Sequence, residues 1–262
     1  NTINLCNELQ NFGAEHIVVV NDGLNPKSEY FNELTSIGCH LVHLKNNNGK
    51  GASLKAGIKY AHDNLYNITG YITCDADGQH TANDVMKISR MLDLRNGSLI
   101  LGKRDYKKSK MPINIRIGNR LSSAYFKVIT GKSCRDTQTG LRGIPAFLYD
   151  TVMKTKGSRF DFEMNFLTKC ADMRVPFYFV NIIADCSNCS SNFRLIKDTY
   201  LIYRTPLRFA TASIGCTIID LVLFTIFAYI LPSHMFFNIM LATLMARVVS
   251  GGINLLIDRK VI

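Results

Sequence analysis

The residues best suited to chemistry in this sequence form the segment Asp75–His80, which reads Asp-Ala-Asp-Gly-Gln-His. It follows Gly70–Cys74, a short run of apolar, aromatic and β-branched residues that predicts a buried strand. Two carboxylates spaced i, i+2 and the amide oxygen of Gln79 are the oxygen ligands that Mg²⁺ or Mn²⁺ prefers. Asp75, Asp77 and Gln79 are therefore candidate metal ligands, although Asp and Gly are also common in ordinary polar turns.

A basic segment, Lys103–Lys110, follows the predicted strand Ser98–Gly102. Open α/β sheets bind their ligands at the carboxyl ends of the strands. The segment is therefore interpreted either as a phosphate clamp or as a solvated run of charge.

The next segment, Ile113–Thr130, has the pattern of an amphipathic helix with basic flanks. Its apolar stripe consists of Ile113, Ile117, Leu121, Ala124, Tyr125 and Val128. Arg116, Arg120 and Lys127 lie beside this stripe. Such a helix either packs on the core, which is the commoner case, or lies on a membrane surface.

The elements that must position these residues alternate between strand and helix patterns. Strands are predicted at 16–20, 39–44, 70–74, 98–102 and 175–183, and the polar loop 136–143 leads into a further short strand. Helices are predicted between most of these strands. This alternation predicts an α/β domain with a mostly parallel sheet and helices on both faces. A turn at Asn21–Gly23 and a glycine-bearing loop at Asn46–Ala52 follow the first two of these strands.

The C-terminal part of the chain is far more apolar. Segments 209–231 and 236–257 each contain a single charged residue, Asp220 and Arg247, and each reaches the roughly 20 residues that a bilayer crossing needs. Lys and Arg flank the pair but are absent from the connection at 232–234, so the positive-inside rule places both ends in the cytoplasm. These features predict a multi-pass protein of the cell membrane with its larger domain on the cytoplasmic side.

Three parts of the chain are predicted: a domain at 1–190, an amphipathic juxtamembrane segment at 191–206, and a transmembrane hairpin at 207–262. Small residues every four positions in the second span favour close helix packing, which can also support a homo-oligomer. They are Ala242, Ala246 and Ser250. Asp220 and Arg247 are costly in lipid and are expected to face protein.

Composition narrows the class of partner. The net charge of +11 and the pI near 9.3 favour an anionic partner such as a phosphorylated substrate or anionic lipid. No nucleic-acid-binding motif accompanies this charge, so a nucleic-acid binder is not favoured. The eight cysteines are scattered, which is typical of a reducing compartment.

Taken together, these motifs resemble those of polyprenyl-phosphate glycosyltransferases, which are inverting family-two enzymes of the GT-A fold related to dolichyl-phosphate mannosyltransferase and bactoprenol glucosyltransferases. The resemblance extends from Val18 to about Lys197. Its motifs are Val20–Gly23, Asn48–Ala52, Asp75–His80, Gly102–Arg104, Asp136–Arg142, Phe162–Glu163 and Ser191–Arg194. Residues 208–261 are similar to the first hairpin of GtrA-like membrane domains.

The resemblance implies a hexose transfer from a nucleotide-diphosphate sugar, of the UDP-glucose or GDP-mannose type, to a polyprenyl phosphate such as undecaprenyl phosphate, for modification of a cell-envelope glycan. The implied donor-binding residues are Asp22, Gly23, Lys50, Gly51, Asp75 and Arg104. Candidates for the acceptor phosphate are Lys103, Arg104, Arg116 and Arg120. The implied catalytic residues are Asp77, Arg104, Gln138 and Arg142, and the divalent ion is Mg²⁺ or Mn²⁺.

The sequence departs from the family pattern at Asn21, which stands where these enzymes carry an acid. The family's first strand also has no counterpart before Asn1. Two alternatives therefore stay open. One is a truncated or catalytically inactive scaffold or partner subunit of the same fold, and the other is a nucleotide-sugar transferase with a different acceptor.

Overall fold

A computed structural model describes residues 1–105, 113–183, 214–230 and 236–261. The chain divides into two compact units, Asn1–Arg194 and Leu195–Ile262. The predicted juxtamembrane segment at 191–206 and most of the basic segment at 103–110 lie outside the described residues.

The first unit alternates helices and strands, as the sequence pattern predicts. Its strands are β1 (Val18–Asp22), β2 (His40–Leu44), β3 (Gly70–Thr73), β4 (Leu99–Arg104), β5 (Arg142–Pro145) and β6 (Phe177–Ile182). Its helices are α1 (Thr2–Asn11), α2 (Glu29–Ser36), α3 (Lys50–Asn64), α4 (Ala82–Leu94), α5 (Ile113–Thr130), α6 (Tyr149–Lys154) and α7 (Phe160–Asp172), with a 3₁₀ turn at Ala146–Leu148.

The strands form two sheets rather than the one mostly parallel sheet predicted from the sequence. β1 and β2 make a parallel pair, and the other four strands are ordered β3-β5-β4-β6. β4 and β6 are parallel, whereas β5 is antiparallel to both of its neighbours. The alternation of patterns predicted strand existence correctly, but it carries no information about strand direction.

The direction of β5 follows from where the chain re-enters the sheet. The Gly102 amide of β4 donates to the Leu141 carbonyl, and the Arg104 amide donates to Asp136. The loop 131–141 therefore reaches the sheet beside the carboxyl end of β4, and β5 must run back from that end. This arrangement places the loop at the edge where strand-end ligands bind.

Helices cover both faces of the strands. One apolar cluster joins Val18, Tyr71 and Leu101 to side chains from α3, α5, α6 and α7. A second cluster joins Ile17, Ile72 and their neighbours to side chains from α1 and α4. Because strand side chains alternate between faces, these clusters are the two interfaces of a three-layer α/β/α sandwich.

The structure shows which side of α5 faces the core, a question that the sequence pattern left open. Its buried side carries Asn119, Ser122 and Phe126, whereas Ile113, Ile117, Leu121 and Val128 of the predicted apolar stripe are exposed. Of the stripe, Tyr125 packs against the first apolar cluster, whereas packing on the core does not hold for the four exposed residues. A period of 3.6 residues identifies one side of a helix but does not say which way that side faces.

The second unit contains two described helices, α8 at 214–230 and α9 at Phe236–Val261. Ala242, Ala246 and Ser250 are buried, as expected for close helix packing. Ser250 donates a 2.8 Å hydrogen bond to Asp220. Within the described residues, no helix combines the length and hydropathy that a membrane crossing requires. The predicted spans lie partly outside those residues, and they stay a prediction.

Candidate functional site

The predicted site residues come from the ends of separate elements. Asp22 ends β1, Lys50 begins α3, and Arg104 ends β4. Asp75 follows β3 by two residues, and Arg142 begins the antiparallel strand β5. Thr73 pairs with Arg142 across the sheet, so the acidic loop and the loop before β5 are neighbours.

A charged cluster joins three of these elements. Lys50 Nζ lies 2.7 Å from Asp75 Oδ1 and 3.1 Å from Glu163 Oε1 on α7. Arg142 Nη2 lies 3.6 Å from the same Glu163 oxygen. The cluster thus places two cations and two carboxylates at one end of the sheet.

The cluster keeps Lys50 and Asp75 in their charged forms. Burial opposes the charge on Lys50, but Glu163 and Asp75 outweigh it and raise the pKa of the ammonium group. Burial likewise works against ionised Asp75, yet Lys50 and then His80 hold the pKa of that carboxyl well below its ordinary range. Both groups are consequently charged at neutral pH. Burial and the nearby Asp75 raise the pKa of Cys74 to about 12, which excludes it as a nucleophile.

Asp75 also has close neighbours on its other sides. His80 is buried, and its Nε2 lies 3.7 Å from Asp75 Oδ2, while neither ring nitrogen has a hydrogen-bond partner in the described part of the chain. A side chain at Gly140 would overlap the Asp75 carboxylate. The loop before β5 therefore approaches Asp75 as closely as a glycine backbone allows.

Asp77 occupies the exposed side of the acidic loop. Its carboxylate accepts hydrogen bonds from the Gln79 backbone amide, at 3.1 Å, and from the Gln79 side chain. Thr81 caps α4 by accepting a hydrogen bond from the Asp84 amide. The loop backbone is also held by α1, since Thr2 donates to the Ala76 carbonyl.

The donor set of this loop suits a divalent ion held jointly with a substrate. No group of three His, Cys, Asp or Glu side chains gathers as a metal site within the described ranges. Mg²⁺ sites, however, commonly use one or two carboxylates together with substrate phosphates. Asp77 is exposed and Asp75 is half-buried, so this pair fits that kind of site better than a closed protein cage. Gln79 donates to Asp77, so its role as a ligand stays a prediction.

Asp22 clamps the glycine-bearing loop. Its two carboxylate oxygens accept from the Asn48 and Gly49 amides at 2.8 and 3.0 Å. The loop packs so tightly that a Cβ at Gly23 would lie 2.6 Å from Asn47 N, and one at Gly51 would lie 2.5 Å from Phe162 Cβ. Packing therefore requires both glycines, and their predicted contacts with a donor stay a prediction.

The hydrogen bonds of Asn21 explain why an amide occupies the position where the family pattern has an acid. It is buried, its amide nitrogen donates to the Leu24 carbonyl, and its amide oxygen accepts from the Leu24 amide. A carboxylate can accept but cannot donate at this position. The amide therefore holds the turn after β1 in a way that an ionised acid would not.

Arg104, which is predicted to bind phosphate, and Arg142, which is predicted to be catalytic, are both buried and both contact other parts of the protein. Arg104 forms a bidentate pair with buried Asp136, through Nε–Oδ2 and Nη2–Oδ1 contacts of 2.8 Å each. Arg142 donates to the carbonyls of Thr137, Thr139 and Glu163. Through these contacts both arginines support the loop before β5. The phosphate contact of Arg104 and the catalytic role of Arg142 stay predictions.

The remaining predicted residues are more open. Lys103 and Gln138 are half-buried, whereas Arg116 and Arg120 are exposed on α5. Gln138 lies beside Gly118 of that helix. The acceptor candidates on α5 are therefore linked to the site through the loop that contains Gln138.

Glu163 of the charged cluster and Asp136, the partner of Arg104, were not predicted as site residues. Both lie within the motifs of the family resemblance, which is the signal that could have found them. Their partners are distant in the chain, as Asp136 shows by pairing with a residue 32 positions away. Local spacing does not reveal such pairs.

The fold defines the class of protein. Residues of this chain superpose on glucosyl-3-phosphoglycerate synthase of Mycobacterium tuberculosis in complex with phosphoglyceric acid with a TM-score of 0.55 and 11% identity, over 79% of this chain and 72% of that one. The same enzyme with Mn²⁺, UDP and glucosyl-3-phosphoglycerate gives a TM-score of 0.51 at 11% identity, over 78% and 72% of the two chains. The structure therefore has the Rossmann-like α/β fold of GT-A glycosyltransferases.

The sequence identifies the family. The profile of glycosyl transferase family 2 matches residues 2–150, and the chain belongs to that family.

Two archaeal relatives are similar in sequence. An uncharacterized protein of Methanocaldococcus jannaschii is 34% identical over 170 residues, which are 61% of this chain and 65% of that protein. The UDP-N-acetylglucosamine–dolichyl-phosphate N-acetylglucosaminyltransferase of Methanococcus voltae is 28% identical over 159 residues, 53% of this chain and 62% of the relative. The chain thus matches less than two-thirds of the length of these relatives.

Proposed function

We propose that this glycosyltransferase moves a hexose from a nucleotide-diphosphate sugar to a polyprenyl phosphate at a membrane, with its first unit on the cytoplasmic side. One observation carries the proposal. The 2.7 Å contact between Asp75 and Lys50 makes the acidic loop part of the charged cluster at the carboxyl end of β3. The Methanococcus voltae relative, which is named for transfer to dolichyl phosphate, supports a lipid-phosphate acceptor.

The reaction brings two anions together, a donor diphosphate and an acceptor phosphate. A phosphate monoester has a second pKa of about 6, so it is largely ionised at neutral pH and does not need a strong base. The main contribution of the protein to the reaction is then to position the acceptor oxygen for in-line attack on the anomeric carbon. Lys50, which is charged and reaches the acidic loop, is placed to contact the donor phosphates.

Asp75 and Asp77 would hold the divalent ion in this proposal. When bound, the ion supplies Lewis-acid stabilisation of the charge that develops on the leaving diphosphate. Asp75 is oriented for this role by Lys50 and His80. Asp77 reaches solvent, from which the donor enters.

Sugar transfer tests the proposal directly. Membranes carrying the chain would be incubated with radiolabelled UDP-glucose, GDP-mannose or UDP-N-acetylglucosamine, with and without EDTA. We expect label in the organic-extractable lipid from one donor and its loss with EDTA. Label found only in water-soluble products would show that the acceptor is not a lipid. The absence of labelled product with every donor would contradict the proposal.

Asp77→Asn tests the acidic loop, and it is our first prediction. The change removes one carboxylate charge from an exposed side chain, so the fold should persist while turnover falls by about 10²-fold or more, the scale typical for loss of one transition-state contact. Asp93→Asn, at another exposed aspartate, is the matched control and should leave turnover unchanged. Equal activity in the two variants would remove Asp77 from the site.

A further inference from the structure

Helix α5 presents an apolar face to solvent. Ile113, Ile117, Leu121 and Val128 are 76%, 55%, 59% and 83% exposed. They recur every three or four residues with Ala124, which is also exposed, so they form one continuous stripe along the helix. Single exposed apolar residues are common on protein surfaces, but a contiguous stripe marks an interaction site.

Polar contacts hold this face outward. Thr137 Oγ1 lies 2.9 Å from Ser122 Oγ and 3.3 Å from Asn119 Oδ1, and all three residues are buried. Phe126 is fully buried on the same side of the helix. Turning the stripe inward would expose Phe126 and break these contacts. The outward direction is therefore fixed by the packing of the helix.

The charges beside the stripe all have the same sign. Arg116, Arg120 and Lys127 are exposed, and residues 113–130 contain no Asp or Glu. A helix with one apolar side and cations along that side's edge has the composition of helices that lie in the plane of a membrane surface. Anionic lipid headgroups complement both features, because each nearby Lys or Arg adds attraction to them.

We propose that α5 is a lipid-docking helix whose exposed stripe inserts into the surface of an anionic bilayer. Docking needs only the lipid surface, so it goes beyond the proposed transfer reaction and is measurable without donor or acceptor. The buried side of α5 contacts Thr137, the neighbour of Gln138, so a docked helix would hold the loop before β5 next to the headgroups.

The chain contains no tryptophan, which allows a direct test. Leu121→Trp introduces the sole tryptophan of the chain, and the fluorescence of its ring reports whether lipid surrounds the stripe. The matched control is Leu94→Trp, because Leu94 is 75% exposed at the end of α4, on the opposite face of the sandwich. The full-length variants would be reconstituted in vesicles of phosphatidylcholine with phosphatidylglycerol, and quenching by brominated acyl chains would be measured.

We expect quenching at position 121 to exceed that at position 94 by at least about twofold, because docked helices bury their apolar face roughly 5–10 Å below the headgroups. Vesicles of pure phosphatidylcholine should reduce the difference in quenching, and so should the double variant Arg120→Gln and Lys127→Gln.

Equal quenching at the two positions would overturn the proposal. A blue-shifted but unquenched signal at position 121 would also overturn it, since protein and not lipid would then cover the stripe. Equal quenching at position 121 in neutral and anionic vesicles would overturn the role of charge.

Discussion

Lys50 links the two acidic side chains of the site. Its ammonium group contacts Asp75 and Glu163, and each carboxylate is thereby given a positive neighbour inside the protein. The side chains of Lys50 and Asp75 are only 22% and 24% exposed, so solvent screens their attraction less than it would at the surface. This one cation therefore favours the ionised form of Asp75 and lowers the pKa of its carboxyl.

Lys50→Met should destabilise the first unit by about 1–3 kcal/mol, because it removes the nearest positive neighbour of two partly buried carboxylates, Asp75 and Glu163. Lys59→Met is the matched control, since Lys59 pairs with Asp63 at the surface and its loss should leave stability unchanged. Urea denaturation measures both variants. An unchanged unfolding midpoint for Lys50→Met would show that the cluster does not stabilise the fold.

The same variant carries a prediction for pH. Since the pKa of Asp75 is lowered in the folded state, the stabilisation from its pair is complete above the ordinary aspartate pKa of about 4. It is lost as the pH falls through the lower folded value. The stability difference between Lys50→Met and the unaltered chain should therefore narrow in acid. A difference that grows below about pH 4 would contradict this sign.

Helix α5 shows what can be predicted from sequence at the level of an element. Its existence and its bounds at Ile113–Thr130 follow from local periodicity. Local periodicity does not predict which side of α5 faces the core, because that side is set by contacts with Thr137 in the following loop. Strands likewise follow from local pattern, whereas the antiparallel direction of β5 depends on where loop 131–141 meets β4.

Thr137→Val should loosen α5 selectively. Valine keeps the shape of threonine but removes the hydroxyl beside Ser122 and Asn119, at a cost of about 1–3 kcal/mol for a buried polar contact. Thr168→Val on α7 is the control, since its hydroxyl bonds only to a carbonyl of its own helix. Hydrogen exchange should accelerate in α5 for the first variant alone. Equal exchange in both would mean that apolar packing, and not Thr137, orients the helix.

At the scale of the whole molecule, the first unit is one sandwich built on two sheets. β3 contributes side chains to both apolar clusters and β1 contributes Val18 to the first, yet in the described part of the chain each strand pairs on one side only. The position of the acidic loop at the end of β3 was predictable, because the strand, turn and helix signals are adjacent in sequence. Its pairing with Lys50 and Glu163 was not, because it depends on how distant segments assemble.

Hydrogen exchange should separate the strands accordingly. β4 is paired with β5 and β6, so amides of Leu99–Arg104 should exchange slowest. Amides of Gly70–Thr73 and Val18–Asp22 should exchange faster, because one side of each strand lacks a paired neighbour among the described residues. Mass spectrometry of peptic fragments measures this. Protection of β1 equal to that of β4 would indicate a further strand alongside it.

Among the described residues, β1 and β3 each have one edge without a paired strand, and these edges bear on how the protein behaves at high concentration. Backbone N–H and C=O groups along an unpaired edge are a template on which another chain can add a strand. Side chains of both strands belong to apolar clusters, so an added segment with apolar residues on both faces would gain packing as well as hydrogen bonds. Self-association through these edges is the expected route to aggregation, and a short peptide that occupies them should slow it.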